Sequence, residues 1–182
     1  NGLRTIKNET VAHHSYHVTL FSRVLTIELG IKDSDLLLRI MDYALLHDAE
    51  EAFDFDVNHT VKYNEYNGVK IRELLSDYTR MCVIKRVDEG LNSYFLNNCD
   101  DAFVKMLVKI ADWMSCVFYL NKERKLGNTG INEEYERSLK ALDCAIGDLQ
   151  EFMERGSCRF TVGDYGVISD LRKYVLSKLI EV

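Results

Sequence analysis

No proline occurs in the 182 residues. At average usage of about 5%, roughly nine would be expected. Nothing in the chain therefore breaks a helix by ring closure, which suits an all-helical protein. Cysteine is present but unorganised. Cys82, Cys99, Cys116, Cys144 and Cys158 are odd in number, widely spaced, and form no CxxC pair. A disulfide framework or a zinc ribbon is not expected, and a reducing cytosol is the natural setting. No apolar run reaches membrane-spanning length and no signal peptide is visible, so the expected location is cytoplasmic, without membrane attachment. Excess positive charge is also lacking. The formal net charge is -6, which argues against wrapping a nucleic-acid backbone. A small anionic ligand held by a metal and a few lysines is compatible with it. The chain starts at Asn1 rather than Met, so a native N-terminal segment is expected upstream.

The remaining composition is ordinary for a soluble protein, with 47% apolar and 29% charged residues. The length suits one domain spanning 1–182, large enough to fold without staples. No repeat, linker or low-complexity segment interrupts it. Asn8 or Thr10 can cap a first helix that Gly30 stops. Asp33 or Ser34 opens a second helix, running to about Phe53. Residues 54–68 read as loop, and a third helix is expected over 69–89. Asp100 or Asp101 opens a helix that is apolar on most sides and hence central. Gly127 to Gly130 form a loop, a further helix covers about 132–154, and a last one begins near Ser169. Regular β alternation is nearly absent, so no significant sheet is expected.

Against this helical background a few polar residues stand out. Asp112 lies mid-helix among Ile110, Ala111, Trp113 and Met114. A buried carboxylate needs a partner or a metal, and a salt bridge to Lys109 is the plainer alternative. His47 and Asp48 close the apolar run YALL and offer nitrogen and oxygen donors to a cation. Glu51 lies four residues after His47, on the same helical face. His13, His14 and His17 crowd into five residues of the first helix. There His14 and His17 share a face and His13 points elsewhere.

The order H … HD … D across an all-helical chain resembles the HD superfamily of metal-dependent phosphohydrolases. The stretch ETVAHHSYHV is similar to the first-histidine motif of its 5′-deoxynucleotidase-like branch, which includes compact phage dATP triphosphohydrolases. HDAEEAFDFDVNHTVKY resembles that branch's long motif, with Asp56, Lys62 and Tyr63 at matching places, and KIADWMSCVFYL resembles its final aspartate motif. The chain departs from the pattern at Phe55, Asn58 and Thr60, where the family usually has glycine and prolines.

The resemblance implies an all-α HD-domain bundle of about six or seven helices. His14, His47, Asp48 and Asp112 would hold one divalent ion. Cobalt, manganese, zinc, nickel, iron and magnesium are all open, mixed imidazole and carboxylate donors favouring the transition metals. Such an ion lowers the pKa of a water and neutralises phosphoryl charge. Glu51 would act as general base or acid, and Asp56 would orient the sugar or assist the leaving oxygen. Lys62 and Lys109 would bind phosphate oxygens, and Arg4 is a candidate substrate contact. Water attack needs no cysteine nucleophile, so Cys116 reads as helix packing, and His17 and His59 read as structural or peripheral. The implied substrate is a small deoxynucleotide, a monophosphate cleaved to deoxynucleoside and phosphate. The rival reactions are release of triphosphate from a deoxynucleoside triphosphate, or nucleotide sensing without catalysis. The family also implies a homo-oligomer.

Overall fold

The computed structural model describes residues 9–48, 65–66, 69–70, 74, 101–155, 173–175 and 177. Helix α1 (Val11–Glu28) starts at Thr10, whose side chain accepts the His13 backbone N–H. Its buried positions include Ser15, Val18, Ser22 and Leu25, the three-and-four spacing of one helical face. The helix ends where Gly30 takes φ 65°. Gly30 N–H donates to the Ile27 carbonyl and Ile31 N–H to that of Thr26, a Schellman closure that only a residue tolerant of positive φ accepts readily. Helix α2 (Ser34–Leu46) follows within a few residues, capped by the Asp33 side chain on Leu36 N–H at 2.9 Å.

Helix α3 (Ala102–Lys125) opens on Asp101, which accepts from both Phe103 and Val104 N–H. Arg39 of α2 donates to the same Asp101 carboxylate at 2.9 Å. One acidic side chain thus caps α3 and ties it to α2. Helix α3 is the centre of the described bundle. Leu107, Ile110, Ala111 and Val117 are fully buried, and α1, α2 and the helix Asn132–Glu154 all pack on it. It ends at Gly127, φ 92°, by the same closure, with Asn128 N–H donating to the Glu123 carbonyl. A 3-10 turn (Thr129–Ile131) leads into α4 (Asn132–Glu154). Tyr135, Ser138, Leu142, Ile146, Leu149 and Met153 form its buried stripe, and Cys116 of α3 meets Ser138 at 3.4 Å.

Two details differ from expectation. Helix α2 ends at Leu46, with His47 and Asp48 in the turn that follows, rather than running on towards Phe53. A short antiparallel pair, β1 (Glu65–Tyr66) with β2 (Val69–Lys70), lies where loop and then helix were expected, with Glu65 opposite Lys70. The residues between the strands are Asn67-Gly68, the pair that two-residue hairpins favour. That local signal outweighs the weak helical pattern at 69–70. The bundle is otherwise helical, and none of its described helices is long and apolar enough to cross a membrane.

Candidate metal centre

Three elements bring the histidines and aspartates together. Helix α1 supplies His14, the turn after α2 supplies His47 and Asp48, and the middle of α3 supplies Asp112. The ligand atoms of His14, His47 and Asp48 all lie within 4.8 Å of one another. Asp48 Oδ2 is 3.1 Å from His47 Nε2 and 3.5 Å from His14 Nε2. Asp112 joins through its Oδ1, 3.1 Å from His14 Nε2. The two imidazole rings are tilted, with centroids 5.4 Å apart. All four side chains are mostly shielded from solvent, with no more than 21% of any one exposed. Electrostatic interactions between them are therefore stronger than at an open surface.

The far side of each imidazole is also held. His47 Nδ1 meets the Ala44 carbonyl at 2.8 Å. A carbonyl only accepts, so Nδ1 carries the hydrogen and Nε2 presents its lone pair towards Asp48. In that neutral tautomer Nε2 has no hydrogen to give Asp48, and among the described residues it is buried without a hydrogen-bond partner. His14 Nδ1 faces Ser115 Oγ at 3.2 Å. Two ring nitrogens and the Asp48 carboxylate thus converge as acceptors on one small volume, and Asp112 adjoins it through His14. Such a set needs protons or a cation between its members. Nitrogen and oxygen donors with their outer faces anchored fit a divalent ion.

Protons respond to the same arrangement. Burial pulls both histidines towards lower pKa, but Asp112 beside His14 and Asp48 beside His47 outweigh it, and both are raised above 6.5. Burial pushes the carboxylates the other way. The protonated ring of His47 beside it holds Asp48 below its usual range, and the hydrogen bond and charge of His14, with help from Lys109, hold Asp112 well below it.

Lys109 reaches Asp112 Oδ2 at 2.6 Å and stands 4.8 Å above the Trp113 ring. The alternative expected from sequence, an Asp112–Lys109 salt bridge, is therefore present alongside the histidine contact. Lys109 remains 54% exposed, so its ammonium stands at the mouth of the cluster. His17 Nδ1 contacts Glu9 Oε1 at 3.1 Å and its ring meets Phe118 edge-on, outside the cluster. His13 is exposed. Burial raises the Cys116 thiol despite its contact with Ser138, which suits packing and not nucleophilic work. Glu51, Asp56, Lys62, His59 and Arg4 lie outside the described residues. Sequence reasoning did not single out Ser115, although its place three residues after Asp112 puts both on adjoining parts of one helix face.

Residues 1–155 match the family described as 5′-deoxynucleotidase YfbR-like. The chain belongs to this family. A curated relative, a 5′-deoxynucleotidase of Shewanella oneidensis, is 27% identical over 138 residues, covering 72% of this chain and 71% of the relative. No solved structure matches the chain.

Proposed function

We propose that the protein is a metal-dependent 5′-deoxynucleotidase, hydrolysing small deoxynucleoside monophosphates to deoxynucleoside and phosphate. The observation that carries this reading is the convergence of His14 Nε2, His47 Nε2 and the Asp48 carboxylate within 4.8 Å, in a chain of the YfbR-like family. His14, His47, Asp48 and Asp112 would hold one divalent ion. When bound, that ion acidifies water and offsets negative charge on the phosphoryl oxygens.

The protein's own residues do the rest. Lys109, beside Asp112 and open to solvent, takes a non-bridging phosphate oxygen as a point charge. By motif position, Lys62 takes another and Arg4 contacts the substrate further out. Glu51 accepts the proton of the attacking water and returns one to the departing O5′ as the phosphorus–oxygen bond breaks. Asp56 orients the sugar. Rigid anchoring of both imidazoles lowers the reorganisation needed as substrate arrives. The enzyme works in the cytoplasm, on small molecules, as a homo-oligomer.

The test is product analysis. Protein stripped of metal and reloaded with Co²⁺ or Mn²⁺ is incubated with dAMP, AMP and dATP separately. Deoxyadenosine and orthophosphate from dAMP, with AMP poorly used, is the expected result. Deoxyadenosine and intact tripolyphosphate from dATP, without turnover of dAMP, would replace this reading with a triphosphohydrolase.

A further inference from the structure

We infer that Ser115 is a positioning residue that sets the tautomer and ring plane of His14 for metal binding. The two histidines of the cluster are anchored by different means. His47 Nδ1 rests on a backbone carbonyl, that of Ala44, at 2.8 Å, so no side chain decides its orientation. His14 Nδ1 rests on the hydroxyl of Ser115 at 3.2 Å, so for this ring the choice of residue matters. Ser115 is fully buried.

Helix α3 grips the His14 ring at both nitrogens. Asp112 Oδ1 lies 3.1 Å from Nε2 and Ser115 Oγ, one turn further along, lies 3.2 Å from Nδ1. With a cation on Nε2 the ring hydrogen sits on Nδ1, and the Ser115 oxygen 3.2 Å away is placed to accept it. A neutral imidazole presenting its Nε2 lone pair is the form that ligates a divalent ion. Alanine at 115 would leave Nδ1–H buried without an acceptor and free the ring to turn or change tautomer.

This inference rests on the reading of His14 as a metal ligand, and its test separates the two. Co²⁺ affinity is measured by competition with a chromophoric chelator for the wild type, Ser115→Ala and Ser115→Thr. Thermal melting in excess chelator reports whether each metal-free variant is folded. In the zinc-loaded proteins, NMR follows the His14 Nδ1–H ring proton. We expect Ser115→Ala to lose about tenfold or more in affinity, as removal of such outer partners typically does, together with exchange protection of the ring proton. Threonine, which keeps the hydroxyl, should restore both. Should alanine impair folding, Ser115→Cys keeps the volume with only a weak acceptor and should show the same loss. Variants lacking the hydroxyl that bind Co²⁺ as tightly as wild type and keep the protected proton would overturn the inference. A wild type that binds no Co²⁺ would overturn it together with the reading of the metal site.

Discussion

Metal binding here should be strongly pH-dependent, because the ion displaces protons from both histidines. His14 and His47 are each raised above 6.5 by neighbouring carboxylates. At pH 5.5 a histidine of pKa 6.5 is about ten-to-one protonated, so freeing it costs about 1.4 kcal/mol. The neighbouring carboxylates add to that cost, and the repulsion between two charged rings subtracts from it. Two histidines of ordinary pKa together weaken a metal by about 2.7 kcal/mol, roughly a hundredfold, at pH 5.5. Asp48 and Asp112 are depressed and stay ionised throughout, so they add nothing to this slope.

The metal-free protein should slope the other way. Raised histidine pKa values contribute stability that is complete below about 6.5 and lost as pH rises through the folded-state values. The depressed aspartates contribute stability present above their ordinary value of 3.8 and lost only as pH falls below it. Melting in chelator should therefore show declining stability from pH 6 to pH 8, while the shift produced by excess Zn²⁺ or Co²⁺ grows. Chelator-competition titrations at pH 5.5, 6.5, 7.5 and 8 read the affinity directly. An affinity unchanged between pH 8 and 5.5 would show that the histidines do not bind the ion, and the reasoning would fail.

Other perturbations follow from the same geometry. Asp112→Asn removes the charge shared by His14 and Lys109; Co²⁺ affinity should fall by at least an order of magnitude, readable by the same titration. Glu51→Gln should leave metal affinity unchanged while lowering turnover of dAMP by about 10²–10⁴-fold, the usual range for a lost general base or acid, measured by phosphate release. Ser22 is fully buried on α1 and its hydroxyl has no hydrogen-bond partner among the described residues. An unsatisfied buried group costs about 1–3 kcal/mol, so Ser22→Ala should raise stability to urea by about 1 kcal/mol once the small void is allowed for.

Much of the fold was legible because local chemistry and tertiary packing agree. Thr10, Asp33 and Asp101 cap the helices they were expected to cap, and Gly30 and Gly127 end helices with positive φ. The apolar girth of α3 identified it as the central helix, and burial from Phe103 to Leu120 bears this out. The end of α2 was not legible. The sequence AEEAF after Asp48 has good helix formers, and propensity does not register the bond from His47 Nδ1 to the Ala44 carbonyl at the helix end. The β1–β2 pair was missed for a different reason: two-residue strands have no alternation to detect, and only Asn67-Gly68 marks them.

At the site, the resemblance to the HD superfamily grouped His14, His47, Asp48 and Asp112, and the structure places His14, His47 and Asp48 within 4.8 Å of one another with Asp112 beside His14. Their outer anchors were not legible. A backbone carbonyl leaves no trace in sequence, and Ser115 reads as one more small residue in a packed helix until the ring of His14 is seen against it.

The most direct test of the account is a crystal soaked in zinc, with anomalous differences recorded at the zinc edge. One strong peak per chain is expected, about 2.0–2.2 Å from His14 Nε2, His47 Nε2 and carboxylate oxygens of Asp48 and Asp112. No peak among these four side chains, or ordered zinc only at other sites, would contradict it.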